Sequence, residues 1–266
     1  MIESLEKRIA PAGVVHYVET DGDIVTVKTS KGTNTDLLGI LTDQNGTAIT
    51  EGKTGVNGVT VNFIKNATTA GIFAGTDLTI SASGGNVAAF PTTAKLANFV
   101  KVNGFDGNGA NNIDLNKVTI KGDLVFIDAG DNTLTTPAIA KLDVTNWHAD
   151  NGFTAATSSQ IRGDILSIKV KNNFDGFIIS NKADGTANFQ DSNATVIGSL
   201  TVGKNIAQRN GDDAGHIQVH RIATLTVKGT FFGSSNGSMR NGLIEADSIG
   251  KISIAAMSVN PSIVLT

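Results

Sequence analysis

Two stretches decide the reading of this chain: IQVHRIATLTVKG, beginning at Ile217, and IEADSIGKISIAA, beginning at Ile244. Aligned without a gap at an offset of 27, they place apolar or small residues together at 217/244, 219/246, 222/249, 225/252 and 227/254. The shared core is an apolar residue, two small or polar ones, then apolar-polar-apolar alternation. Working outward, the same core opens at Leu115 (LNKVTIKG), Ile139 (IAKLDVTN), Ile165 (ILSIKVKN), Ile197 (IGSLTVGK), Ile222 (IATLTVKG) and Ile249 (IGKISIAA). The successive offsets are 24, 26, 32, 25 and 27. Weaker copies start at Gly22, Val56, Gly75 and Ala97, either as degenerate rungs or as a separate β region.

Period-two alternation rich in Val, Ile, Leu and Thr reads as a strand with one buried face. A step of about 25 residues is what one turn of a three-sided coil consumes, with Gly, Asn or Asp at the corners. Stacked turns pair equivalent strands in parallel at about 4.8 Å and align equivalent side chains in interior ladders. The expectation is therefore an all-β chain: a parallel β-solenoid with turns of about 25 residues over 51–266, closed by an N-terminal cap or arm over 1–50. An all-β sandwich is the rival. The longest step carries KADGTANFQDSNA from Lys182, read as a loop thrown out at a corner. Within 1–50, Asn45-Gly46 sits between apolar runs as a hairpin turn would. Helical signals are limited to Ile2–Ala10, where Ile2, Leu5 and Ile9 share a face, and Thr92–Phe99. The C-terminal VNPSIVLT is an apolar strand without a polar cap, which leaves two expectations: another subunit covers it by end-to-end self-association, or the chain is part of a longer one.

Composition excludes several function classes. The chain of 266 residues has no Cys, so disulfides, thiolate metal sites and a Cys nucleophile are out. A net charge of -3 gives no overall electrostatic case for nucleic acid or an anionic membrane. No apolar run reaches the roughly 18 to 20 residues that span a bilayer, so no membrane insertion is expected. Phosphate-loop, GxSxG and HExxH motifs are absent.

Two resemblances add to this reading. Leu5, Glu6 and Arg8, followed by Ile9 and Ala10, resemble the short Leu-Glu-x-Arg motif near the start of large exported proteins of planctomycete and verrucomicrobial bacteria. The IGSLTVGKNI-type rows resemble those of bacterial surface and autotransporter-like β-helices. Together they imply an extracellular or cell-surface bacterial protein of structural or adhesive type, whose faces of Thr, Ser, Asn and Lys offer repeated contacts to polysaccharide or other matrix chains.

The densest polar cluster is RNGDDAGHIQVHR, with Arg209, Asp212, Asp213, His216, His220 and Arg221. Paired carboxylates beside His and Arg are what a glycoside hydrolase or polysaccharide lyase needs for proton transfer and charge stabilisation. Asp212, Asp213, Gly215 and His216 resemble the Asp-Asp and Gly-His elements of polygalacturonase-like β-helices. In that family the two elements come from different turns of the coil, whereas here they share one corner. If the chain is an enzyme, Asp212, Asp213, His216, Arg209 and Arg221 are its candidate catalytic residues; the solvated-corner reading makes it a non-enzyme.

His216 and His220, four apart on an alternating strand, are expected on one face but about 13 Å apart, too far to share a metal. Asp- and Asn-rich turns from Asp106 and Asp128 carry the oxygen ligands calcium takes, without any calcium-loop spacing. No cofactor is expected, and calcium is the one ion whose ligand chemistry is present. Arg162-Gly163-Asp164 is a three-residue match given no function. Trp147 is either a sugar-stacking platform or a residue packed under a loop.

Overall fold

The computed structural model describes residues 12–84, 96–105, 111–131, 135–148, 158–180, 195–207, 214–233, 242–258 and 260–265. In chain order come β1 (Gly13–Val18), β2 (Ile24–Thr29), α1 (Asn34–Leu38), β3 (Leu41–Thr42), β4 (Val59–Asn62), α2 (Ala67–Phe73), β5 (Thr76–Ser83) and β6 (Ala97–Asn103). They are followed by β7 (Leu115–Asp128), β8 (Ile139–Trp147), β9 (Ser159–Ile161), β10 (Ile168–Val170), β11 (Phe177–Ser180) and β12 (Val196–Val202). The last are β13 (His216–Gln218), β14 (Arg221–Phe231), β15 (Leu243–Ala246), β16 (Ser248–Met257) and β17 (Ser262–Leu265).

The chain is all-β, with strands paired in two sheets. The larger has the order β1-β2-β5-β7-β8-β10-β12-β14-β16, and the smaller β9-β11-β13-β15-β17. From β9 onward the chain alternates strictly between the two, and every pairing there is parallel. The sequence steps are the hydrogen-bonding register itself. Leu115 pairs with Ile139, Ile139 with Ile165, Ile165 with Ile197, Ile197 with Ile222 and Ile222 with Ile249. The offset of 27 likewise sets Ile217 opposite Ile244 and Val227 opposite Ile254. A third apolar row, Trp147–Phe174–Ile206–Phe231, is joined by single bridges. These rows interdigitate into one core that runs without a break from Val15 to Ala246.

The region of weak repeats departs from uniform parallel stacking, so the larger sheet is mixed. All four weak copies are strands of it, but β2 runs antiparallel to both β1 and β5, and β3 antiparallel to β4. The cause is local: only five residues join β1 to β2, with Gly22 at φ 88°, and so short a link cannot cross back over the sheet to a parallel start. Around Asn45-Gly46 the chain does turn back: Asp43 N–H donates to Thr47 O, and Asp43 Oδ1 accepts from the N–H groups of Asn45 and Thr47. The helical expectation over Thr92–Phe99 is corrected where it is described, since Ala97–Phe99 are in β6; the expectation over Ile2–Ala10 lies outside the described residues. The helices that do form are short and begin at capping residues, Thr33 with Asp36 in a capping box and Asn66 with Thr69 N–H.

The two ends of the larger sheet differ in how their edges are finished. The outer edge of β1 is satisfied: Val14 N–H donates to Asn34 Oδ1, His16 N–H to Glu51 Oε2 and Val18 N–H to Lys53 O. At the other end, β16 and β17 are the outermost strands, and the ladder residues they carry stand in the open. Ile252 is 45% exposed, Met257 55% and Leu265 59%, although Ile252 and Met257 are in register with fully buried Leu225 and Phe231.

The longest step, from Ile165 to Ile197, shows how the register survives an insertion. Residues 181–194 lie outside the described set, yet Thr195 N–H donates to Ser180 Oγ (2.8 Å) and the Thr195 hydroxyl to Ile161 O (3.0 Å). The two ends of the excursion thus meet, and Val196 re-enters the sheet beside Arg221. No helix among the described residues is long and apolar enough to cross a membrane.

Candidate functional site

Of the proposed catalytic cluster, Arg209, Asp212 and Asp213 lie outside the described residues, and His216 and Arg221 lie within them. The structure separates these two. His216 is in β13 of the smaller sheet and has no exposed surface, whereas Arg221 opens β14 of the larger sheet and is exposed. The chain bends between them at Val219 and His220, so His216 and His220 do not share the face of one strand. Ile217 and Val219 keep the alternation of a strand, and the bend falls in the three-residue step from Val219 to Ile222, with all three buried.

Each histidine takes its acid from the following rung. His216 Nε2 stands 2.9 Å from Glu245 Oε2, and its ring stacks on Phe177 of the preceding rung (centroids 4.5 Å apart, planes 8° apart). His220 Nδ1 is 2.8 Å from Asp247 Oδ2, and Asp247 N–H returns a bond to His220 O. Parallel stacking therefore does bring polar groups of successive rungs together. His216 is sealed beneath the surface, where a polymer has no access to it; His220 and Asp247 are partly exposed.

The other sequence candidates resolve as packing or turn chemistry. Trp147 is fully buried between Leu124 and Phe174, with its ring edge-on to Phe174 at 5.1 Å, and is no platform for a sugar. Arg162 is buried, and Asp164 Oδ1 accepts from Val196 N–H of the next rung, so the Arg-Gly-Asp tripeptide is not displayed as a unit. Residues 106–110 of the first Asp/Asn-rich turn lie outside the described set. In the second, burial pushes the Asp128 carboxyl up to about 8, against the opposing bond it accepts from Gln160 N–H (2.7 Å). Asp114, facing that turn, accepts from Asp131 N–H and from the Thr136 hydroxyl, and burial raises its pKa, with Asp131 adding to the rise. Asp114, Leu115, Asn116, Thr136 and Pro137 line a hollow of about 390 Å³. Among the described residues no three His, Asp or Glu side chains are grouped to hold a metal ion.

Sequence inspection did not single out Glu19. It is 2% exposed, and burial pushes its carboxyl up to about 8, against the Asn98 N–H that donates to it and with further upward push from Asp21, Asp23 and Asp123. Tyr17, buried two residues earlier, has its phenol raised by burial and by the nearby Glu19.

The outward face of the larger sheet carries polar residues in register from strand to strand. Between the buried ladders run rows of small hydroxyls and long amines, such as Thr79–Thr119–Asp143–Lys169–Thr201–Thr226, each residue in register with the next. A neighbouring row brings Ser167 and Ser199 hydroxyls within 3.2 Å. Strand neighbours are about 4.8 Å apart and alternate outward positions about 6.6 Å apart, which sets the repeat of these donors and acceptors. Compared with known proteins, the chain matches no family model, no curated protein and no solved structure.

Proposed function

We propose that this protein is a non-enzymatic β-solenoid, with turns of about 25 residues, that serves as a bacterial extracellular or cell-surface module of structural or adhesive type. The observation that carries the reading is the unbroken succession Leu115, Ile139, Ile165, Ile197, Ile222 and Ile249, paired rung to rung, with the chain alternating between the two sheets from β9 onward. A chain that returns to the same register at every step builds a rod, and a rod with a flat hydroxyl-rich face makes many weak contacts instead of one deep pocket. On this reading residues 1–50 are the cap, supported by the side-chain bonds that occupy the outer edge of β1. The Leu5-Glu6-x-Arg8 resemblance, outside the described residues, supports export.

A rival reading, a polysaccharide lyase or glycoside hydrolase, is favoured by one observation: the partly exposed His220–Asp247 pair brings groups of successive rungs together, a short way along the chain from Asp212 and Asp213. Reducing-end and unsaturated-product assays on acidic and neutral polysaccharides, with calcium and with chelator, test both. Retention on insoluble polysaccharide without turnover is expected. Turnover abolished in Asp212→Ala/Asp213→Ala would replace the structural reading with the enzymatic one.

The exposure of Ile252, Met257 and Leu265 on the edge strands β16 and β17 supports end-to-end self-association, because exposed apolar residues on an edge strand form a template for a further strand.

A further inference from the structure

The net charge of the chain is -3, but the lysines are not spread evenly over its surface. Lys117, Lys121, Lys141, Lys169, Lys171 and Lys228 are all exposed beside or between buried ladder residues of β7, β8, β10 and β14. Lys28 of β2 and Lys251 of β16 extend the same side at its two flanks. These eight are half of the sixteen lysines in the chain. Among the described residues, none of the eight forms an ion pair or a side-chain hydrogen bond. The acids on the same strands include Asp77, already bonded to Asn116 Nδ2 (2.7 Å) and Lys117 N–H (3.2 Å), Asp143, and Asp123, which accepts from Asn146 Nδ2 (2.6 Å).

Lys117 and Lys141 face one another directly in the parallel ladder. Like charges at that spacing cost stability. The threonine and serine hydroxyls between the lysines supply hydrogen-bonding groups at the same repeat. Taken together, the face carries exposed lysines and hydroxyls that repeat on the scale of a rung.

Resting on the adhesive reading above, we infer that this face of the larger sheet binds an extended acidic polysaccharide, one carboxylate or sulfate per sugar, laid across the rungs. Lysines would meet the acid groups and Thr/Ser hydroxyls the sugar hydroxyls. A single nucleic acid strand would need aromatic platforms, and the outward rows just named carry none.

The test uses polygalacturonate, its fully methyl-esterified form and dextran in affinity electrophoresis at low salt and at roughly tenfold higher salt, where screening is strong. The wild-type chain is compared with Lys141→Gln/Lys169→Gln/Lys171→Gln, which alters only exposed side chains, and with Lys31→Gln/Lys53→Gln/Lys65→Gln, the same charge change elsewhere. Thermal melts confirm that each variant is folded. The inference expects retention by polygalacturonate alone, lost at high salt, weakened at least tenfold in the first variant and little changed in the second. Equal weakening in both variants, equal retention on the esterified polymer, or tighter capture by duplex DNA or phosphatidylserine vesicles would overturn it. Retention on a neutral glycan that ignores the lysines would sink this face and leave the adhesive reading standing; no retention on any glycan would sink both.

Discussion

Leu200 and Ile252 occupy the same ladder, Val118–Leu142–Ile168–Leu200–Leu225–Ile252, and a purely sequence-based view treats them as equivalent. The structure separates them, since Leu200 is fully buried with a rung on either side and Ile252 is 45% exposed on the last rung. Truncating Leu200 to Ala removes about three methylene equivalents at ~0.8 kcal/mol each, about 2.4 kcal/mol. The void left between Ile168 and Leu225 adds a cavity term, for an expected total of about 3 to 4 kcal/mol. Ile252→Ala loses about half the transfer energy and encloses no cavity, so about 1 kcal/mol is expected. Urea unfolding followed by the emission of Trp147, the single Trp and fully buried, reads both. Equal destabilisation by the two substitutions, at protein concentrations low enough to keep the chain monomeric, would refute the view that the ladder is closed at Leu200 and open at Ile252.

Single contacts supply the other predictions. A Cβ on Gly176 would lie 2.4 Å from Trp147 Cδ1, so Gly176→Ala is expected to cost about 1 to 3 kcal/mol and to shift Trp147 emission; an unchanged spectrum and melt would contradict the packing. Glu19 and Asp128 both titrate near 8 when folded, because burial favours the neutral acid. Between about pH 4, where the unfolded groups ionise, and about 8, the folded chain keeps protons that the unfolded chain releases, so stability is full below that window and falls as pH rises through it. Asp128→Asn, which can still accept from Gln160 N–H, should flatten that slope, as read by denaturant midpoints across the same range. Sizing at two protein concentrations should show larger species at the higher one, and Met257→Lys/Leu265→Lys should abolish them; concentration-independent monomers would remove the end-on contact.

The part of the fold most legible in the sequence was the rung register. The offset of 27 could be read because side chains that stack on one another face the same packing problem, so the same slots stay Ile, Leu or Val. Strand direction was not legible upstream of residue 103, because alternation specifies which face is buried but not which neighbour a strand pairs with. The candidate site was less accessible still. His216 looks polar in a polar run, yet its position depends on a bend marked only by the three-residue step from Val219 to Ile222. Trp147 was ambiguous for the converse reason, since a ladder position and a surface platform can carry the same residue. The lysine face was hidden by the net charge, which sums over the surface what the register sorts onto one side.

The hydrogen-bond ladders also fix how the molecule would bear load. Because β1 and β16 are at opposite ends of the larger sheet, tension applied along the sheet pulls each strand away from its neighbour and opens the bonds of one rung at a time, in peeling. Each event would release the chain of a single rung, and at up to ~3.6 Å per residue the freed length would differ measurably between the shortest step and the longest. Force applied across the strands would meet all the bonds of a rung in shear. Such an object yields in small increments lengthwise and resists abruptly sideways, a mechanical anisotropy set by nothing more than which direction the backbone amides point.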